Sequence, residues 1–380
     1  MNTKLSIRDY SMGIALIAIW VFFAVKSDQF LGPRNLSMLA IELSITAVLA
    51  LGMLLVLLPG LIDLSVGSGV GLLGGTAAVL VFQHSFPAGV AMLVSIVIGV
   101  AVWSLMGFLI IREKVPAFII TLGGLLVFKG VFWLVIQNAT VPVTRGNIVN
   151  LYSALTTYYI PPWLGMILVA IAGVAIIYTR LKSQSQRRKF GFEVADGETM
   201  FLTLFVIIQV LLLLVITLNE FRGIPLSLAI LCAIALLVTV ITRNTRFGRY
   251  LYAIGGNEEA AILSGIPVTR VIVGAYALLG GIVALTGLMQ TAYAGASTTT
   301  IGDLMELDAI AACVIGGTSL KGGRGSVVGV LFGALIMASL LNGMTLLAVS
   351  PENKLIARGL ILVLAVWLDV VLSRKAKVRV

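Results

Sequence analysis

Five ionisable side chains stand inside or beside long apolar runs: Asp63, Lys129, Glu306, Asp308 and Asp369. Charge at membrane depth is costly, so each is a functional candidate by default. Asp63 lies in LIDLSVGS, two residues before Ser65. Its carboxylate can accept hydrogen bonds from backbone N–H groups bared at a helix break, or cap the next helix from the membrane surface. The surface cap is the plainer expectation. Glu306 and Asp308 open ELDAIAACVI and are expected near an outer mouth, where capping and contact with a substrate are equally open. Lys129 and Asp369 can snorkel to the interfaces. Polar groups suited to a path for a small hydroxylated solute accompany them: Ser65, Ser68, Thr76, Thr318, Ser319 and Asn342.

Catalytic patterns are missing. Lys321 follows a leucine and lacks the glycine before it and the Ser/Thr after it that a phosphate loop needs. Leu263-Ser264-Gly265 looks like a fragment of an ATPase signature, but Ile266 and Pro267 end the likeness. His84 is the only histidine, and Cys232 and Cys313 lie within apolar runs, so no metal site, disulfide or cofactor is expected.

The elements that must position these residues are membrane helices. The hydrophobic fraction is 59% and the charged fraction 11%, where a soluble chain carries about 25% charged residues. Repeated apolar stretches of about 20 residues, each able to cross ~30 Å of hydrocarbon, define a polytopic all-α membrane protein. Spans are expected at about 10–26, 36–58, 61–82, 87–111, 116–136, 163–178, 200–218, 224–241, 271–292 and 356–372, with a glycine-broken stretch between the last two. Residues 138–161 form a polar outer connection. Lys4 and Arg8 before the run Met12 to Val25 resemble a signal sequence, but KSDQF carries no small-residue cleavage pattern, so this is a retained first span. Alternation of sides puts both termini in the cytoplasm, with about ten spans, or twelve if both broken segments count as pairs.

The net charge of +10 does not point to nucleic acid. Three basic clusters carry much of it: Arg180, Lys182, Arg187, Arg188 and Lys189; Arg243, Arg246 and Arg249; Arg374, Lys375, Lys377 and Arg379. They fall between or after spans, as cytoplasmic segments do, facing anionic lipid headgroups.

Two glycine-rich interruptions dominate the pattern. One holds Gly60, Asp63, Ser65, Gly67 and Ser68; the other holds Gly316, Gly317, Thr318, Ser319, Gly322, Gly323 and Gly325. Irregular backbone at membrane depth survives only where protein or a water-filled cavity surrounds it, and in transporters it marks the transport path. An ordinary cytoplasmic turn is equally compatible with the second interruption. Gly325, Gly329 and Gly333 recur every four residues, as do Gly67, Gly71 and Gly75, so each set is expected on one helix face for close packing. A serine follows the first glycine of each set, and Gly60 matches Gly317 with one residue gapped. The pattern suggests two related halves, about 1–190 and 191–380, of a single membrane domain.

The most informative loop is about residues 243–270. Asn257 can N-cap a short helix with Glu258 and Glu259 in its first turn and Gly265 at its end, following Gly255 and Gly256. Ala260, Ala261, Leu263 and Ile266 would give it a modest apolar face, with Ser264 near its end. Such a helix suits a groove on a soluble partner, or packs on its own membrane domain.

These stretches together carry a resemblance. GLIDLSVGS (Gly60–Ser68), AIGGNEEAAILSGI (Ala253–Ile266), ELDAIAACVIGGTSLKGGRGSVVG (Glu306–Gly329), GALIMASLLNGM and LAVWLDV resemble the membrane subunits of bacterial ATP-binding-cassette sugar importers, of the ribose/xylose/galactoside permease group. The wording AACVIGGTSL with IMASLLNGM is most similar to D-xylose permeases. Pro59-Gly60 stands where many relatives have Gly-Gly, and Ile262 where arginine is common. The resemblance implies a multi-pass inner-membrane protein acting as a homodimer of permease copies, with a separate cytoplasmic ATPase subunit and a periplasmic sugar-binding protein. The competing scheme is a self-contained proton-coupled sugar transporter with Asp63 as the proton carrier.

Overall fold

The computed structural model describes residues 7–146, 149–192, 194 and 196–377. Lys4, and the side chains of Arg8, Asp369 and the C-terminal basic cluster, lie outside the described residues. The first half contains α1 (Ile7–Lys26), α2 (Pro33–Leu57), α3 (Val66–Phe82), α4 (Ala88–Glu113) and α5 (Ala117–Ile136). The outer connection then folds into β1 (Val141–Pro142), the short α6 (Leu151–Thr157) and β2 (Tyr159–Ile160). After them come α7 (Pro162–Lys189), α8 (Gly197–Phe221), β3 (Ile224–Pro225) and α9 (Leu226–Asn244). The expected loop holds α10 (Arg246–Gly256) and α11 (Glu258–Leu263). The chain finishes with α12 (Val268–Ala294), β4 (Ala296–Ser297), α13 (Met305–Ile315), α14 (Val327–Leu346) and α15 (Pro351–Lys377).

Among the described residues, eight helices are long and apolar enough to cross a membrane, and Met12–Lys26 and Val66–Phe82 are shorter apolar helices. The chain is a polytopic helical membrane protein. Proline punctuates it: Pro87, Pro116, Pro161, Pro225 and Pro267 each stand at the N-cap of a long helix. A helix start leaves its first N–H groups without intrahelical partners, so proline costs nothing there and presets the turn. The two-stranded pairs β1–β4 and β2–β3 are antiparallel clips that tie the outer connections together.

The helix α2 is the shaft of the bundle. Of its most apolar 18 residues, 83% are buried, against 67% in α12 and 61% in α14. A helix that is apolar on every side must be enclosed by protein or by lipid, and here α12, α13, α14, α8 and α9 enclose it. The α7–α8 pair lies at the periphery, with 6% and 17% of the corresponding windows buried. The helix α7 also runs past the expected end at residue 178 to Lys189, so the first basic cluster lies on its last turns rather than in a loop.

Close packing relies on backbone contact. A Cβ on Gly280 of α12 would lie 2.2 Å from the Gly99 carbonyl oxygen of α4, and one on Gly99 would lie 2.5 Å from that of Gly280. The expected stripe on the last broken segment needs correcting. Gly325 precedes the N-cap Ser326, so it is not on the helix at all. Four-residue spacing continued across the helix start gave the wrong face. Gly329 and Gly333 do share a face, and a Cβ on either would lie within 2.0 Å of a carbonyl oxygen of α13 or its C-terminal Gly316.

Gly280→Val should force α4 and α12 apart, at a cost of about 1–3 kcal/mol or more. Thermal unfolding in detergent should fall clearly below wild type, whereas Gly130→Ala, where a Cβ meets nothing within 4 Å, should leave the midpoint within about a degree or two.

Candidate functional site

Both interruptions begin with the same helix ending. At the end of α2, Gly60 (φ +88°) donates its N–H to Leu57 O and Leu61 donates to Val56 O. At the end of α13, Gly317 (φ +95°) donates to Val314 O and Thr318 donates to Cys313 O. This paired bonding satisfies the last carbonyls of a helix, and it requires a residue tolerant of positive φ. The residues that sequence alignment matched, Gly60 and Gly317, therefore occupy equivalent positions.

Beyond these endings the two breaks differ. After Gly60 the chain turns through Asp63, which has no exposed surface. Its Oδ1 accepts from the Ser65 N–H at 2.7 Å and the Ser65 hydroxyl at 2.6 Å, and its Oδ2 accepts from Trp103 Nε1 of α4 at 2.9 Å. The Thr121 hydroxyl of α5 donates to Ile62 O at 3.3 Å. Asp63 is thus not a surface N-cap. Ser65 occupies that position, without a side-chain cap bond. Asp63 instead closes the turn over its own i+2 amide and fastens the break to α4.

After Gly317 the chain folds into a compact turn. Ser319 donates its N–H to Arg324 O, and its hydroxyl accepts from the Lys321 N–H at 3.2 Å. Gly322 and Gly323 take φ of +83° and +74° within it. Thr318 and Ser319 are buried. Ser326 then caps α14 by accepting from the Gly329 N–H at 3.1 Å.

The two breaks meet each other and the end of α10. Gly323 donates its N–H to Leu58 O at 2.9 Å. A Cβ on Gly60 would lie 3.1 Å from Lys321 O. A Cβ on Gly255 would lie 1.9 Å from Leu58 O and 2.4 Å from the Gly323 nitrogen. The Tyr252 hydroxyl donates to Gly325 O at 2.9 Å. The second break therefore lies at the end of the bundle that carries α10 and α11, packed against α10.

From this junction the chain passes through Gly256 into α11. Asn257 caps α11 by accepting from the Ala260 N–H at 2.9 Å, Glu258 and Glu259 fill its first turn, and Ser264 donates back to Ala260 O. Gly265 (φ +78°) ends it, with Ile266 donating to Ala261 O. These features follow the sequence expectation. The apolar face does not. Ala261 is 4% exposed and turned inward, while Leu263 is 89% exposed and Ile262 stands out beside it. A six-residue helix offers too few turns for its buried face to be read from periodicity.

Away from the junction, the stripe on α3 supports the start of α13 and the segment before it. A Cβ on Gly67 would lie 2.0 Å from Glu306 Oε2, one on Gly71 2.6 Å from Ile301 O, and one on Gly75 3.0 Å from the Ser297 hydroxyl. Ser68 is buried, and the Thr76 hydroxyl bonds back to Leu72 O. Lys129 does not snorkel: its ammonium holds Thr299 O at 2.9 Å and pairs with the Asp303 carboxylate. Trp133 Nε1 donates to the same Thr299 carbonyl at 3.2 Å. Asp308, 7% exposed, pairs with Arg358 of α15 at 3.5 Å. Sequence reasoning missed Glu42 of α2, which accepts from the Tyr293 hydroxyl at 2.9 Å and from Asn342 Nδ2 at 3.2 Å. Asn342 is therefore committed to Glu42 and, through its carbonyl, to Asn35. A single acid within a 25-residue apolar helix was the available signal. No group of metal-ligating side chains occurs among the described residues.

Two glycine-rich breaks that meet, acids bonded inside an apolar helical bundle and a capped helix exposed at one end fit a membrane transport permease. The chain belongs to the family described as "Branched-chain amino acid transport system / permease component", which matches residues 35–366. It is 40% identical over 369 residues to the xylose transport system permease protein XylH of Haemophilus influenzae, covering 96% of this chain and 97% of the relative. It is 38% identical to the XylH of Escherichia coli K12, over 98% of this chain and 94% of the relative. The ribose import permease RbsC of Escherichia coli K12 is 32% identical, over 97% and 95% respectively. No solved structure matches the chain.

Asp63→Ala should leave Trp103 Nε1 buried without an acceptor, a loss of about 1–3 kcal/mol. Asp63→Asn, which keeps an acceptor oxygen, should lose less. Detergent thermal unfolding followed by tryptophan fluorescence orders the two variants.

Proposed function

We propose that this chain is the membrane-spanning permease of an ATP-driven importer for a monosaccharide, D-xylose or a closely related pentose. Two copies pair in the bacterial inner membrane, a cytoplasmic ATPase subunit docks beneath them, and a periplasmic binding protein delivers the sugar. ATP hydrolysis belongs to the separate subunit. The two breaks stand as counterparts in two related halves of the chain. The names of the relatives supply the substrate class, and the chemistry of the loop supports the division of labour.

One observation carries the mechanism. The exposed helix α11 follows directly on Gly255, where α10, the end of α2 and the second break share one backbone contact. A push on α11 by closing ATPases reaches both breaks without passing through a flexible linker. The proton-coupled scheme has less support, because Asp63 is fully buried with both carboxylate oxygens already engaged. A proton carrier must exchange with water on at least one side.

Co-purification in mild detergent tests the scheme: a vanadate-sensitive ATPase should accompany the chain in near-equal amount. A chain that purifies alone and still supports protonophore-sensitive uptake would overturn it. Within the complex, Leu263→Asp should remove a docking contact worth ~2 kcal/mol, about a thirtyfold loss of ATPase affinity. Ile262→Arg, which restores the residue that the resemblance leads one to expect there, should keep docking intact. Gly255→Val should leave the ATPase bound yet abolish ATP-driven uptake in vesicles, because the junction cannot close around a side chain.

A further inference from the structure

The bundle end opposite α11 holds a cavity of about 370 Å³, between the N-terminal half of α2, the C-terminal ends of α12 and α14, the approach to α13, and α15. Its polar lining includes Glu42, Thr46, Gln290, Tyr293, Asp308 and Arg358. Ile45, Ile301, Met305 and Leu341 supply apolar wall. A cavity of this size lies at the small end of ligand pockets, and its mixture of apolar wall with a few placed polar groups is their usual composition.

Two groups in it are incompletely satisfied. Asp308 is 7% exposed and its Oδ1 has no partner, because the contact with Arg358 is made through Oδ2 at 3.5 Å. Arg358 Nε is likewise buried without a partner. A buried acceptor and a buried donor left open on the two members of one ion pair are costly, and they mark a place where a ligand completes the bonding. A hydroxyl serves both, donating to a carboxylate oxygen and accepting from a guanidinium N–H. Adjacent hydroxyls on a sugar ring offer this twice, while the ring's C–H face can rest on the apolar wall. Glu42, Gln290 and Thr46 bring further acceptors and donors. Asp303 also borders the cavity but is already paired with Lys129, and Glu42 is bonded to Tyr293 and Asn342, so Asp308 is the lining acid with an oxygen left open.

We propose that this cavity is a sugar-binding subsite within each copy of the chain, entered from the outer side, in which Asp308 and Arg358 together grip a pair of neighbouring hydroxyls. The assignment rests on the chain being a monosaccharide permease.

The test uses the full chain in lipid nanodiscs with D-xylose as the probe, followed by saturation-transfer difference NMR, alongside uptake by the reconstituted importer. Wild type should give a saturable D-xylose signal, and Asp308→Asn and Gln290→Ala should each bind about three- to tenfold more weakly, the loss of one hydrogen bond. Both variants should still co-purify with the ATPase, which shows them folded. In uptake they should raise the sugar concentration needed for half-maximal rate more than they lower the maximal rate. Unchanged D-xylose binding in both variants would overturn the subsite, as would an absent wild-type signal in an importer that still takes up the sugar; in either case the permease reading stands. An assembly that neither recruits an ATPase nor imports any pentose would remove the permease reading and the subsite with it.

Discussion

The carbonyl oxygen of Leu58 is the atom on which the arrangement of the breaks depends. It belongs to the last turn of α2, where carbonyls have no intrahelical partner. The glycine ending at Gly60 satisfies the carbonyls of Val56 and Leu57 and leaves Leu58 open. Its donor comes from the other break, the N–H of Gly323, while the backbone of Gly255 closes over the pair with no room for a side chain. One orphan carbonyl thus joins three segments that lie far apart in the chain, at Leu58, Gly255 and Gly323. Leu58 itself is fully buried, so opening this contact would leave its carbonyl without a partner. The junction is therefore held by backbone contacts that leave no slack, and a displacement of any one of the three segments is passed to the other two.

The helix α2 connects this junction to the far end of the bundle. Glu42, bonded to Tyr293 and Asn342, and Leu58 lie sixteen residues apart on or just beyond one helix, about 24 Å at the usual rise. The helix α14 runs alongside in the opposite direction, from Ser326 at the second break to Asn342 and Thr345 near Glu42. Neither helix has a glycine-rich interruption between these points that would absorb motion, and α2 is packed on all sides. Displacement at the junction is therefore expected to reach the outer cavity as a rigid shift. Asp63 with Trp103, and Lys129 with Asp303, fix the neighbouring segments to α4 and α5 and so decide which parts stay still.

Much of this was legible in the residues, and the rest was hidden for identifiable reasons. The caps of α11 follow from Asn257, the acids after it and Gly265, since capping depends on residue type at fixed local offsets. The equivalence of Gly60 and Gly317 was visible for the same reason: only certain residues tolerate positive φ. What depends on distant partners was not legible. The acceptor role of Asp63 needs Trp103, 40 positions away, and the task of Lys129 needs Thr299 and Asp303. Glu42 disappeared into the hydropathy of a long apolar run. Gly325 kept the four-residue rhythm of its neighbours while lying outside the helix, because periodicity says nothing about where a helix starts.

The outer subsite and the junction make opposite demands on the chain, and the sequence divides them accordingly. A path must bind its solute well enough to admit it and weakly enough to let it go. A partly exposed cavity with one half-satisfied ion pair meets that condition, because the contacts it offers are few and water can replace them. The junction must instead resist thermal opening and yield only to a push from α11, which is why it is built from backbone, glycine and buried hydrogen bonds. Side chains that tune affinity at the cavity can therefore vary without disturbing the mechanism that moves it. Any substitution at Gly255 alters that mechanism whatever solute the cavity holds.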